Sequence, residues 1–381
     1  MRARARAAEH VAVPAAARKA AKPAGKPADF AAQLIAWQRR HGRNDLPWQN
    51  TRDAYRIWLS EIMLQQTQVG TVIPYYRTFL EHFPDVASLA AADLNAVLRL
   101  WSGLGYYSRA RNLHRAANAL VAVHGGAFPR GREALEALPG VGRSTAAAIV
   151  AFAFRRSEAI LDGNVRRVLA RHFAVAGFPG DAKVAAKLWT LAESLLPARG
   201  IARYTQALMD LGATVCTRKP SCERCPVRAS CRARAEGATA SYPWPRPRRS
   251  VPVRETRMLL LVSQGRLLLE KRAAAGIWGG LWCFPEIGIE EEAAAVCEAR
   301  FGLRAADVEH LPVLPHSFTH FTLRIHPVAC RVADGERVAD GGATAWMTLQ
   351  DAAADAIPVP VRKLLDRLPA ALLDAADKAG G

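Results

Sequence analysis

The hydrophobic period changes once along this chain, and the change limits how it can fold. From Phe30 to about Met209 apolar residues recur at three and four, punctuated by Gly42, Pro84, Gly103, Gly125, Pro139, Gly163 and Pro179. That spacing predicts helices packed on one another, with no sheet. From Arg257 the text turns to short apolar runs. Arg257–Val262 and Arg266–Glu270 flank Ser263-Gln264-Gly265, a hairpin signal. Glu290–Phe301 reads as a helix, Phe321–Ala329 as a strand and Val361–Leu368 as a terminal helix. The expected fold class is an all-α domain followed by a small α/β domain, and 381 residues suffice for two cores.

Charge follows the same division. The formal net charge of +18 splits into +6 over residues 1–28, +11 over 29–231, +5 over 232–257 and −4 over 258–381. An Arg-rich composition alone would colour every region, whereas here the sign reverses in the last. A polyanion partner, nucleic acid before membrane surface, is expected for the first domain. Charged residues interrupt every apolar stretch well short of the roughly 20 needed to span a bilayer. Residues 1–28 read as a disordered basic tail without the apolar core of a secretory signal, although their composition also suits an organelle transit peptide. Residues 29–215 form the expected all-α domain, 216–231 a cysteine loop and 232–256 an extended linker marked by Pro243, Pro245, Pro247 and Pro252. Residues 257–369 form the second domain and 370–381 a tail.

Of 7 cysteines, four fall in one cluster: Cys216, Cys222, Cys225 and Cys231, spaced C-x5-C-x2-C-x5-C. The other three, Cys283, Cys297 and Cys330, are scattered. That distribution belongs to a reducing compartment and a metal site rather than a disulfide framework. Spacing alone does not separate tetrahedral zinc from an iron–sulfur cluster.

Two further patterns bear on chemistry. Leu138-Pro139-Gly140-Val141-Gly142 precedes the helix opening Arg143-Ser144-Thr145-Ala146. Two glycines around a small apolar residue make a tight hairpin, and the following helix N-terminus offers backbone N–H groups suited to a phosphate. The bland alternative is an ordinary helix–turn–helix corner. Glu61 sits among Trp58, Leu59, Ile62, Met63 and Leu64, where apolar surroundings would raise a carboxyl pKa and keep a proton available. A half-exposed Glu on an amphipathic helix fits the same period. Asp162, in Leu161-Asp162-Gly163-Asn164-Val165, precedes a helix and suits an N-cap. Together the two carboxylates suit cleavage of a glycosidic bond through an oxocarbenium-like state.

The hairpin with its downstream Asp resembles the helix-hairpin-helix DNA glycosylase superfamily. The block Trp58-Leu59-Ser60-Glu61-Ile62-Met63-Leu64-Gln65-Gln66-Thr67-Gln68, with Gly103-Leu104-Gly105-Tyr106-Tyr107-Ser108-Arg109, is similar to its MutY, or adenine DNA glycosylase, family, over nearly all but the tail. The resemblance implies a glycosylase domain with a 4Fe-4S cluster on the four cysteines, then a Nudix-like domain. It implies that Glu61 protonates the imidazole ring of adenine, that Asp162 stabilises or transiently captures the sugar cation and that Asn164 orients the assembly. Gln66 and Tyr106 become the intercalating pair, with Thr67 and Leu104 beside the opposite base. Leu46, Trp48, Gln206 and Ser144 line the adenine pocket, and Gly140, Val141 and Gly142 bind phosphate. Ser144 stands where bifunctional relatives of the endonuclease III type carry a Schiff-base lysine, so base removal without strand cutting is expected. Arg218, Lys219, Arg224 and Arg228 would face the DNA backbone.

In the last domain Gly279-Gly280-Leu281-Trp282-Cys283-Phe284-Pro285 is similar to the Nudix-like part of that family. Glu290, Glu291 and Glu292, followed by Ala293-Ala294-Ala295, lack the carboxylate spacing of a Mg²⁺-binding Nudix box. His316-Ser317-Phe318-Thr319-His320 resembles the loop that inspects 8-oxoguanine, which involves Phe318, Thr319 and His320. The chain departs from the family twice: the first cysteine interval has five residues where six is usual, and Thr319 replaces a Ser. The implied activity is excision of adenine opposite 8-oxoguanine or guanine in duplex DNA, by a monomer in the cytoplasm at the nucleoid and away from membranes. Three other functions stay open on the residues: a lyase acting on oxidised pyrimidines, an inactive iron–sulfur DNA-binding protein and a free-nucleotide diphosphatase.

Overall fold

The computed structural model describes residues 27–247, 250–274, 276–332 and 343–369. The tails expected at 1–28 and 370–381 lie almost wholly outside them. The chain forms two compact units, one from residues up to Gly42 with Leu161–Arg246, the other from Arg43–Ile160 with residues from Pro247 onward. The helices expected over 29–215 are thus shared between two units.

In the first unit the helices Pro27–His41, Gly163–His172, Ala182–Ser194 and Ile201–Asp210 bury Leu34, Leu169, Leu188, Tyr204 and Leu208. A π turn, Leu211–Val215, prolongs the last helix and ends on Cys216, whose amide donates to Leu211 O at 2.6 Å. The stretch expected as extended linker instead begins with a helical turn, Arg232–Ala235, and a 3₁₀ turn, Thr239–Ser241. The cause is a tertiary bond that proline content does not reveal: Arg171 Nε donates to the carbonyls of Thr239 (3.0 Å) and Tyr242 (2.8 Å).

Ahead of a mixed sheet the second unit holds, among the described residues, the helices Ala54–Leu64, Val69–His82, Val86–Ala91, Leu94–Trp101, Ser108–His124, Arg132–Glu136 and Arg143–Ala153. Its strands are β1 Val253–Ser263, β2 Arg266–Lys271, β3 Trp282–Cys283, β4 Glu286–Ile287, β5 Ala305–His310, β6 Leu314–Ser317, β7 Thr322–Val332 and β8 Thr344–Thr348. They run in the order β3-β2-β1-β7-β5, with β4 on β1, β6 on β7 and β8 on β2. β1 and β7 pair in parallel from Val253↔Thr322 to Val262↔Arg331.

The predicted hairpin is present. Val262 pairs with Leu267 across Gln264 (φ 50°) and Gly265 (φ 71°), the two left-handed residues of a type I′ turn. From Met258 to Ser263 β1 is buried on both faces, as the middle of a central strand must be. Met258, Leu260 and Val262 share one apolar core with Trp58, Leu98, Trp101 and Phe284, while Leu259 and Leu261 pack opposite with Leu268, Cys297 and Val328. The sheet and the helices of this unit therefore share a core. The helix expected at Glu290–Phe301 runs Ala293–Phe301, with Glu292 at its N-cap position, and the terminal helix runs Val359–Leu365, because Pro360 suits a first turn.

One buried side chain makes the first unit acid-sensitive. His172 packs edge-on to Phe30 (4.7 Å) and Phe173 (4.8 Å), and burial, aided by Arg232, pulls its pKa down to about 4. The unfolded chain holds that proton more tightly, so this stability is complete above about pH 6.5 and is lost as pH falls through 4. The expected loss is up to about 3 kcal/mol. Urea unfolding at pH 7 and pH 4.5 should show a smaller drop for His172→Leu than for the wild type.

Candidate functional site

The helix Ala54–Leu64 starts where Asp53 accepts hydrogen bonds from the amides of Tyr55 (2.9 Å) and Arg56 (3.3 Å). Its apolar face buries Trp58, Leu59, Ile62 and Met63, which leaves Glu61 half-buried at the margin. Beyond Leu64 the chain turns sharply: Gln66 adopts φ 58° and is exposed, while Gln65 Nε2 donates to Thr145 Oγ1 at 3.4 Å. A second irregular turn contains Gly103, Leu104, Gly105 and Tyr106. Tyr106 is also left-handed, at φ 49°, and is 49% exposed, whereas Leu104 is buried. Arg109, buried beneath both turns, donates to Met63 O at 2.7 Å and to Thr67 Oγ1 at 3.0 Å.

The predicted hairpin is built as its glycines require. Val141 N donates to Leu138 O at 3.1 Å, and Gly140 takes φ 77°, where a Cβ would lie 2.7 Å from Asn112 Cβ. Gly142, with no side chain to cap it, begins the helix Arg143–Ala153, so the positive end of that helix opens at the turn. Ser144 lies half-buried in its first turn. Leu46 and Trp48 occupy another turn of the same unit, where Trp48 packs edge-on to Tyr76 at 5.4 Å.

In the other unit Asp162 does cap a helix: its Oδ1 accepts from Val165 N at 2.8 Å. Its second oxygen accepts from Asn164 Nδ2 at 3.1 Å, and Asn164 Oδ1 in turn accepts from Arg167 Nη2 at 2.9 Å. Arg167 also donates to the carbonyls of Cys216 and Gly212, both at 2.7 Å. Gly212 is required there, because a Cβ would lie 2.5 Å from Asn164 Cβ. A chain of hydrogen bonds thus runs from Asp162 to the first cysteine. Gln206 donates to Asp210 Oδ1 at 2.9 Å.

All four clustered cysteines line one cavity, with Arg171, Val215 and Pro220 among its walls. Burial pushes the Cys225 thiol up to about 12 and raises that of Cys231. Arg171, 4% exposed, donates to Cys216 Sγ at 3.4 Å and to Thr217 O at 2.6 Å. Among the described residues no group of three or more His, Cys, Asp or Glu is gathered closely enough for one metal ion.

The segment likened to an 8-oxoguanine loop forms the tip of the β6–β7 hairpin, where Ser317 pairs with Thr322 and Phe318 N donates to Phe321 O at 2.8 Å. Phe318 stacks on Phe321 at 4.5 Å and meets His316 and Trp278, leaving Thr319 and His320 exposed. Tyr106, Arg111, Trp278, Phe318, Thr319 and His320 line a single cleft of about 640 Å³. Arg111 Nη1 donates to Gly279 O at 2.7 Å across it. In the sheet, Glu270 binds Arg300 at 2.7 Å and Glu286 binds Arg272 at 2.5 Å.

Sequence reasoning gave no role to Arg109, Arg111, Arg167, Arg171 or Trp278. For Arg171 a signal existed, since it follows Val168 by three on a helix whose apolar face is buried, with no neighbouring acid.

Residues 59–194 match the HhH-GPD superfamily of base excision DNA repair proteins, and residues 257–367 match the NUDIX domain. The chain is 35% identical over 340 residues to the adenine DNA glycosylase of Buchnera aphidicola subsp. Acyrthosiphon pisum, covering 88% of this chain and 97% of that one. It is 34% identical over 400 residues to human adenine DNA glycosylase, covering 88% and 73%. Among solved structures, a thermostable thymine-DNA glycosylase superposes with a TM-score of 0.50 at 31% identity, over 54% of this chain and 95% of that one.

Gly140 separates conformational strain from steric strain. Gly105 has a similar φ of 71° but open space at the Cβ position. Gly140→Ala should destabilise by about 1–3 kcal/mol and by more than Gly105→Ala, as measured by urea unfolding.

Proposed function

The chain belongs to the adenine DNA glycosylases, hydrolases of base excision repair, and we propose that it removes adenine paired with 8-oxoguanine, and less efficiently with guanine, from duplex DNA. The observation that carries this specificity is the cleft in which Tyr106 and the Thr319–His320 tip meet. A wedge beside the mispair and a polar tip able to read the opposite base face the same space.

A glycosidic bond inside a duplex is inaccessible, so the adenine must leave the stack. Gln66 and Tyr106, both exposed or half-exposed and both held left-handed, are the wedges that fill the gap; Thr67 and Leu104 lie beside the opposite base. Gly140, Val141 and Gly142 hold a phosphate at a helix N-terminus without reading sequence. Leu46, Trp48 and Ser144, in the unit that carries Glu61, receive the extruded adenine.

Glu61 then donates a proton to the imidazole ring of the base, which departs neutral as the C–N bond breaks. The positive charge left on the sugar is stabilised by the Asp162 carboxylate, which Asn164 and Arg167 hold in place, and a water supplies the hydroxyl of the product. Ser144 has no amine with which to form an imine, so the strand stays intact. In the sheet domain Glu270 and Glu286 are engaged by arginines, which supports reading over diphosphate hydrolysis there.

The four cysteines, which line one cavity, are the ligands of a 4Fe-4S cluster in this reading, as the family resemblance implies. Such a cluster would brace the loop that carries Arg218, Lys219, Arg224 and Arg228. The partner is duplex DNA and the working unit a monomer. The setting is the cytoplasm at the nucleoid, and no helix among the described residues is long and apolar enough to cross a membrane.

Single-turnover excision on duplexes with adenine opposite 8-oxoguanine, guanine or thymine tests the assignment. Alkali-dependent nicks at 8-oxoguanine and guanine, with the thymine pair untouched, are expected. Nicks without alkali would instead mark a lyase. Glu61→Gln should slow excision about 10²–10⁴-fold with binding retained. Thr319→Ala combined with His320→Ala should cut the preference for 8-oxoguanine over guanine about tenfold, the equivalent of one hydrogen bond.

A further inference from the structure

Arg109 lies in the first turn of the helix Ser108–His124 and is 7% exposed, yet no carboxylate among the described residues pairs with it. Its Nη donors go to backbone and to one hydroxyl. Nη1 reaches Ile62 O (3.0 Å) and Met63 O (2.7 Å), while Nη2 reaches Thr67 Oγ1 (3.0 Å), Leu104 O (3.2 Å) and Gly105 O (3.1 Å). The guanidinium also lies 5.3 Å from the centre of the Trp101 ring and 5.6 Å from that of Tyr106.

These contacts fall on both sides of Gln66 and immediately before Tyr106. Gln66 (φ 58°) and Tyr106 (φ 49°) each hold a backbone conformation that persists in a residue with a side chain only when the surroundings impose it. One planar group therefore connects the two segments that present them. With the wedge roles of Gln66 and Tyr106 taken from the function proposed above, we propose that Arg109 is the positioning residue that fixes the spacing of the two wedges, so that both enter the base stack together.

The side chain suits that role in two ways. Its fork of donors serves two segments at once, whereas a lysine ammonium on a flexible stem is a point charge without that geometry. Burial lowers its pKa only to about 10, so the group stays charged, and donating, at neutral pH.

The test uses the full-length protein and a duplex carrying 2-aminopurine opposite 8-oxoguanine, whose fluorescence rises as the base unstacks. Arg109→Lys is expected to bind this duplex within about threefold of wild type. The fluorescence rise and the single-turnover excision of adenine from the matched duplex should both fall tenfold or more. A wild-type fluorescence rise would overturn the proposal. Gln66→Ala and Tyr106→Ala, run in parallel, keep the two ideas apart. If they unstack the base normally, the wedge assignment itself fails. If they are impaired while Arg109→Lys is not, only the role of Arg109 fails. Hydrogen exchange guards against simple misfolding: loss of protection confined to residues 64–68 and 103–107 supports positioning, and loss throughout the helices of the unit reduces Arg109 to a brace for the fold.

Discussion

Irregular backbone is the chemical difficulty of a site built from turns, because each carbonyl leaving a helix end needs a donor that no ladder provides. In both units of this protein a buried guanidinium supplies it. Arg109 collects carbonyls from the ends of two turns in one unit, and Arg171 collects those of Cys216, Thr217, Arg218, Thr239 and Tyr242 in the other. A single Arg with five N–H groups in one plane can tie together segments far apart in sequence, and it needs no carboxylate when carbonyl dipoles surround it. These turns and loops are held by such bonds more than by local conformational preference. Gln66 and Tyr106 show as much, since each sits in a conformation its own side chain disfavours.

Much of the architecture was legible because it depends on local periodicity. Apolar spacing of three and four marked the helices, and Ser263-Gln264-Gly265 marked a turn whose two positive φ values only a short list of residues tolerates. Asp162 was legible as a helix cap, and the structure shows that cap: one oxygen receives Val165 N, while the other accepts from Asn164 Nδ2. The division into units was not legible, because the packing of Pro27–His41 with the helix Ile201–Asp210 joins segments that no periodicity connects. The same reason hid Arg109 and Arg167. A donor aimed at a distant carbonyl leaves no trace in the residues beside it.

The cysteine loop combines both cases. Its four cysteines were plain from spacing, but the π turn at Leu211–Val215 that delivers Cys216, and the Arg167 bond that links Cys216 O to Asn164, are tertiary facts. That bond makes the loop a neighbour of Asp162 by way of two side chains.

Tyr107 bears on how such an enzyme can change over generations. It follows Tyr106 directly, and its hydroxyl donates to Ile357 O at 3.0 Å, in the segment that precedes the last helix of the sheet domain. Arg111, one turn further along, grips Gly279 of the same domain. The sheet domain is thus no cartridge that recombination could exchange for another of its kind. A transplanted domain would have to arrive with carbonyls already placed to meet Tyr107 and Arg111, or the recipient's helical part would have to change with it. Substitutions among related chains are expected to gather at the hairpin tip, where Thr319 and His320 project freely, while the seam behind it is inherited as a single piece.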